Sequence, residues 1–152
     1  GKALNGDGNN YGFLEIISQY GSTDAGNLAN FYAGATYLRL ESFEDAVRYL
    51  SEFSSSDPVL EARAASLIGD AKMELKDYAA AASSYKSAIS ASSEDSEILP
   101  LYIMKLAIAQ EESGDQKSAK DSYAQIVSKH KKSTFYQDAR KHKARLEGLL
   151  AE

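Results

Sequence analysis

Few residues in this chain stand where side-chain chemistry could be done. His130 and His142 are too far apart to serve as adjacent metal ligands on one helix, and no H-E-x-x-H is present. Cysteine is absent, which removes disulfides, thiolate metal sites and cysteine nucleophiles. Asn5-Gly6-Asp7-Gly8-Asn9 has the composition of a calcium or phosphate loop. It lacks the glycine and acid spacing of the first and the lysine of the second, so it reads as a flexible terminus. Nothing forms a nucleophile elbow or an orienting triad, and the scattered carboxylates have no partner that would make them acid or base. Tyr32, Tyr37, Tyr78, Tyr85 and Tyr123 recur at regular intervals, which suits packing better than a cofactor cage. No catalytic residue, metal site or cofactor is expected, and the chain reads as a non-enzyme.

Charge narrows the partners further. The 152 residues carry a net charge of −5. Residues 1–100 hold 7 basic and 15 acidic side chains, whereas residues 101–152 hold 10 and 7. An acidic chain lacks the dense basic field that phosphate backbones require, so nucleic acid is not expected as a partner. Lys129-His130-Lys131-Lys132, with Arg140, Lys141, Lys143 and Arg145, could face RNA or an anionic membrane, but a solvated helix face is the plainer reading. No stretch approaches the roughly 18 consecutive apolar residues of a membrane span, so direct insertion by this segment is not expected. The chain begins Gly1-Lys2-Ala3 without methionine. It reads as trimmed, with Gly1 a tag remnant and an N-terminal anchor or signal ahead of it left open.

The elements that must position any site are helices. Alanine, leucine, glutamate and lysine are plentiful, and only Pro58 and Pro100 could interrupt. Bulky residues recur at three- and four-residue steps from Leu28 to Leu38, a polar break follows at Glu41-Ser42, and a second run spans Phe43 to Phe53. Asp57 before Pro58 is a helix start. The same sentence then repeats through Ala65, Ile68, Gly69, Leu75, Asp77-Tyr78, Ala81, Tyr85, Ala88 and Ile89. A third copy runs through Tyr102, Ile103, Leu106, Ala107, Gly114-Asp115, Ala119, Tyr123 and Ile126. Asp77 and Asp115 are each placed to cap a second helix. The excess length between copies two and three sits in the polar linker Ser90–Leu99.

The chain is therefore divided into a flexible terminus (residues 1–9) and one helical domain (10–152). Within the domain lie a partial repeat helix (10–22), repeats at 27–58, 60–92 and 100–132, and a capping helix (134–150). Phe13, Leu14, Ile16, Ile17 and Tyr20 mark the partial repeat, which has lost its first helix. Thr134 with Gln137 is a capping-box start for the last helix, which would carry Phe135, Ala139, Leu146, Leu149 and Leu150 along its length.

A helix–turn–helix period near 34 residues, with Gly34, Tyr37, Ala46 and Pro58 in the first copy, resembles the tetratricopeptide repeat (TPR). Gly69, Tyr78, Ala81, Tyr85 and Ala88 continue it in the second copy, and Ala107, Gly114, Ala119 and Tyr123 in the third. Small residues let the paired helices approach and aromatics fill the remaining gaps. The usual tryptophan is replaced by Asn30, Ala65 and Ile103. The resemblance covers roughly residues 10–150 and implies an all-α, right-handed solenoid of about three repeats with flanking helices. Tyr11-Gly12-Phe13-Leu14-Glu15-Ile16-Ile17, with Gly26-Asn27-Leu28-Ala29 and Phe31-Tyr32-Ala33-Gly34, also resembles Bacteroidetes TPR proteins. Those are similar to the membrane-anchored periplasmic TPR subunit of the Sec translocon. That resemblance implies a place at the periplasmic face of the inner membrane, held by an N-terminal anchor, with a cytoplasmic location as the alternative.

TPR arrays bind partners in the concave groove lined by the first helices. Projected onto this chain, the groove holds Leu28, Phe31, Ala35 and Leu38, then Arg63, Ser66, Asp70 and Met73, then Leu101, Met104, Lys105, Ile108 and Glu111. Phe31 and Ile108 are equally well read as core. An apolar, methionine-containing groove suits a peptide or helix, and Phe31→Asp or Met104→Asp would be expected to weaken capture without unfolding. The carboxylate clamp of chaperone adaptors is not expected, because Phe31, Ala35, Leu67 and Leu101 occupy its places and only Lys105 is basic. The expected function is a protein-binding scaffold or adaptor, and the resemblance implies a place within a cell-envelope assembly or secretion complex. The alternative is an oligomerisation module whose groove holds its own chain or a second copy as a homodimer.

Overall fold

A computed structural model describes residues 1–8 and 11–151; Asn9 and Asn10, at the junction between the expected terminus and the partial repeat, and Glu152 lie outside the described residues. The elements are α1 (Lys2–Asn5), α2 (Phe13–Tyr20), α3 (Asp24–Arg39), α4 (Phe43–Glu52), α5 (Pro58–Glu74), α6 (Tyr78–Ala91), α7 (Leu99–Glu112), α8 (Gln116–Lys129) and α9 (Tyr136–Leu149). No strand occurs among the described residues. Packing follows chain order from α1 to α9, each helix lying chiefly against its neighbours in sequence. The molecule is thus an all-helical solenoid, in which α3/α4, α5/α6 and α7/α8 are complete hairpins.

Local chemistry sets the helix ends. Asp57, Asp77 and Asp115 each accept a backbone N–H in the first turn of the helix they precede, as does Thr23 ahead of α3. Each hairpin turn closes with an N–H bonded five residues back: Ser42 to Tyr37, Asp77 to Lys72 and Asp115 to Gln110. This Schellman geometry needs a left-handed residue, and the three turns place Glu41 (φ 60°), Lys76 (φ 60°) and Gly114 (φ 85°) there. Only the third turn has the residue type that adopts this conformation freely. Lys76→Gly is therefore expected to raise stability by up to about 1 kcal/mol, and Gly114→Ala to lower it by about as much; urea melts of the two variants check both signs.

Each hairpin closes through two repeated pairings. Gly34 faces Leu50 and Gly69 faces Tyr85, so closely that an added Cβ would lie 2.5 Å from a side-chain atom in both cases. In the third hairpin Ala107 and Tyr123 share one buried cluster. One step along, Tyr37 stacks on Tyr49 at 5.3 Å, Lys72 Nζ meets Ser84 Oγ at 3.3 Å, and Ser122 Oγ donates to Gln110 Oε1 at 2.7 Å. The core is a chain of clusters rather than one centre. Phe31, Leu50, Phe53 and Ala64 join repeats 1 and 2, while Leu106 and Ala109 pack against Tyr85 between repeats 2 and 3. Ile103, Tyr123, Ile126 and Leu146 bury the last hairpin under α9.

Several local expectations change. Residues 1–8 are not simply a loose terminus: α1 forms, and Leu4 is buried. Gly12 allows this, since a Cβ there would strike the backbone of Leu4 and Gly6. The polar linker is shorter than Ser90–Leu99, because α6 runs to Ala91 and α7 begins at Leu99. The Thr134–Gln137 capping box does not form. The helix starts later, at Tyr136, and Ser133 Oγ instead accepts the Phe135 N–H at 3.1 Å. Of the apolar residues assigned to the cap, Ala139 and Leu146 are buried, Phe135 is half-buried, and Leu149 and Leu150 are exposed.

Candidate interaction groove

The first helices of the hairpins, α3, α5 and α7, carry all thirteen residues projected onto the groove. Their exposures divide them. Leu28 (41%) and Ile108 (38%) are open to solvent, as is Arg63. Ala35, Leu38, Asp70, Met73, Leu101, Lys105 and Glu111 are half-buried. Phe31 (4%), Met104 (8%) and Ser66 are buried. Phe31 sits 5.1 Å from the Phe53 ring inside the repeat 1–2 cluster, with the Arg63 guanidinium 5.8 Å over its other side. Met104 belongs to the last core cluster. These two are structural anchors rather than groove surface, so a charge at either would act on folding first. Tyr32, read from sequence as packing, is 47% exposed; Phe13 of α2 stacks on it at 5.7 Å. Its neighbour Phe31 takes the inward place one residue round the helix.

Asp70, Lys105 and Glu111 of the groove are paired across repeats, whereas Arg63 makes no ion pair among the described residues. Lys105 Nζ on α7 reaches both oxygens of Asp70 on α5 at 2.8 Å and Ser66 Oγ at 3.3 Å. Tyr85 on α6 donates its hydroxyl to the same carboxylate at 2.8 Å, and Lys105 lies 5.9 Å over the Tyr85 ring. The next repeat uses the same grammar. Tyr123 on α8 donates to Glu111 at 2.7 Å, and Arg145 of α9 bonds the other carboxylate oxygen. His142 stacks on Tyr123 at 4.9 Å, with its Nδ1 3.6 Å from Glu111. A second-helix tyrosine thus orients a first-helix carboxylate, and the following first helix brings the cation. On the basic face of α9, expected to be solvated, Arg145 stays exposed while it bonds Glu111, and half-buried His142 stacks on Tyr123. Position-by-position comparison of opposite charges in successive repeats is the signal that would have found these pairs.

These contacts shift proton affinities. Burial alone would raise the Glu111 carboxyl, but hydrogen bonds from Arg145 and Tyr123 and the charges of Arg145 and His142 outweigh it and hold it below the usual carboxylate range. A depressed folded-state value contributes stability above the unfolded value, which is lost as pH falls through the folded one. Tyr85 and Tyr123 go the other way. Burial first, then the neighbouring carboxylate, pushes both phenols up, so their contribution holds below the unfolded value of about 10 and is lost as pH rises beyond it. Stability should therefore fall below about pH 4 and above about pH 10. Denaturant melts across pH should show Glu111→Gln flattening the acid limb and Tyr85→Phe the alkaline one.

Two hollows flank the groove elements. One of 600 Å³ lies between repeats 1 and 2, lined by Leu38, Arg39, Glu41, Phe43, Asp70, Met73, Glu74 and Tyr85. The other, of 800 Å³, places Glu94, Asp95 and Glu97 of the acidic linker opposite Lys129, Lys131 and Lys132. The basic run and the acidic inter-repeat loop thus line one hollow. Among the described residues no group of three or more metal-ligating side chains converges, and no helix is long and apolar enough to cross a membrane.

Residues 102–133, the third hairpin and its exit, match the family described as tetratricopeptide repeat. The match supports a TPR protein and agrees with the helical solenoid seen along the rest of the chain. No curated protein sequence matches it.

Proposed function

We propose that the chain is a protein-binding scaffold whose concave first-helix surface receives a peptide or helix of a partner. The observation that carries this reading is the set of side chains left open on α3, α5 and α7. Leu28, Tyr32 and Ile108 expose apolar surface, half-buried Leu38, Met73 and Leu101 extend it, and Arg63 makes no ion pair among the described residues. Apolar surface gives affinity and fixed charges give selectivity. TPR repeats generally mediate protein–protein contacts, and the resemblance of the Tyr11–Gly34 region to envelope TPR proteins supports a role in an envelope assembly or secretion complex, with the chain held at the periplasmic face by an anchor.

Capture from a detergent extract tests this, with Leu28→Asp/Ile108→Asp as the control, since both side chains are exposed. Partners held by the parent and released by the folded control support the groove. Equal capture by both removes it. Mass that rises with concentration in light scattering, together with loss of capture, would move the chain to the oligomerisation reading.

A further inference from the structure

We propose that the hollow between repeats 1 and 2 recognises a lysine or arginine side chain of the partner, in a segment that is otherwise apolar. This rests on the groove reading and names the partner chemistry within it. The hollow combines an apolar floor with an acidic edge. Leu38, Phe43 and Met73 offer surface for an aliphatic stem, and Glu41 and Glu74 stand beside them with Asp70 deeper in. Glu41 and Glu74 are exposed and make no ion pair among the described residues. Against them the lining holds one cation, Arg39. A long basic side chain buries its stem on apolar surface while its head stays among carboxylates.

The molecule itself shows how such a place is filled. At the junction of repeats 2 and 3 the acidic position Asp70 receives Lys105, and at the junction of repeat 3 and α9 Glu111 receives Arg145. Both cations come from the following first helix. At the junction of repeats 1 and 2 the chain supplies no such bridge: α5 presents Leu67 at the place of Lys105, α3 has Ala35 and Leu38 at the places of Asp70 and Glu111, and of the carboxylates lining the hollow Asp70 is held by Lys105 while Glu41 and Glu74 are left to solvent. The surplus of negative charge in residues 1–100 points the same way. A basic residue from outside would meet Glu41 and Glu74 as Lys105 meets Asp70 and Arg145 meets Glu111.

The test is selection of a displayed library of short random peptides on the wild-type domain, followed by binding of the selected peptides to Glu41→Gln/Glu74→Gln and to Leu101→Asp/Ile108→Asp. Selected peptides should share a lysine or arginine flanked by apolar residues. Replacing that residue by methionine, or using Glu41→Gln/Glu74→Gln, should weaken binding roughly tenfold. The two changes together should weaken it little further, and binding should fall as salt is raised. Peptides without a basic residue, or peptides bound equally well by Glu41→Gln/Glu74→Gln but lost with Leu101→Asp/Ile108→Asp, overturn this inference and leave the groove standing. Peptides indifferent to both variants, or no enrichment at all, count against the groove and the pocket together.

Discussion

Phe31→Asp is expected to unfold the N-terminal repeats. The side chain is 4% exposed and packs with Leu50, Phe53 and Ala64, the cluster that joins repeat 1 to repeat 2. Removing a core phenylalanine costs about 3–5 kcal/mol through lost transfer energy and the cavity left behind. The aspartate adds the cost of a carboxylate among apolar side chains, with Arg63 lying over the ring face. A domain of this size has about 5–15 kcal/mol in total, so the loss is severe. Because a solenoid is held by neighbour contacts, the damage should be local. Circular dichroism and limited proteolysis should show α1–α4 lost first while the α7–α9 cluster persists. Ile108→Asp, on the exposed face of α7, should stay within about 0.5 kcal/mol of the parent. Wild-type stability for Phe31→Asp would mean that the cluster is not closed as described.

Gly34→Ala should be the other large effect, and Gly69→Ala a smaller one, although the two glycines occupy equivalent places. A Cβ at Gly34 would lie 2.5 Å from Leu50 Cγ and 2.9 Å from the Leu50 backbone nitrogen. The nitrogen belongs to α4, so relief requires the whole helix to move. Overpacking of this kind costs about 1–3 kcal/mol, and the upper end is expected here. At Gly69 the three nearest atoms all belong to the Tyr85 ring, at 2.5–2.9 Å. A ring can swing, and the third hairpin already pairs a tyrosine with alanine: Tyr123 lies in the same cluster as Ala107 and donates to Glu111. Gly69→Ala should therefore fold, with Tyr85 displaced from Asp70 and Lys105 less firmly held. Thermal melts rank the two variants, and a larger loss for Gly69→Ala would contradict the argument.

Much of this architecture was legible in residue order because it rests on local rules. Asp57, Asp77 and Asp115 announced their helices through the chemistry of unpaired N–H groups, and the spacing of Gly34, Gly69 and Ala107 announced the hairpins. The groove was legible only to within one residue of helix rotation. Phe31 and Tyr32 are adjacent aromatics on an apolar helix, and periodicity alone does not say which faces inward; Phe53 and Ala64 decide it from another hairpin. Met104 was misplaced for the same reason, its neighbours coming from α8 and α9. The Asp70–Lys105 and Glu111–Arg145 pairs span 35 and 34 residues and follow from superhelical stacking, which no short window contains. The capping box at Thr134 failed because Ser133 bonds the Phe135 N–H first and the helix starts at Tyr136.

The most direct test of the groove is photo-crosslinking in an extract, with a reactive side chain placed at Ile108 on the exposed face of α7 or at Ser87 on the exposed face of α6. The groove account predicts a discrete partner adduct from position 108 that competes with unlabelled domain, and none from position 87. The same adduct from both positions, or an adduct from position 87 alone, would contradict it.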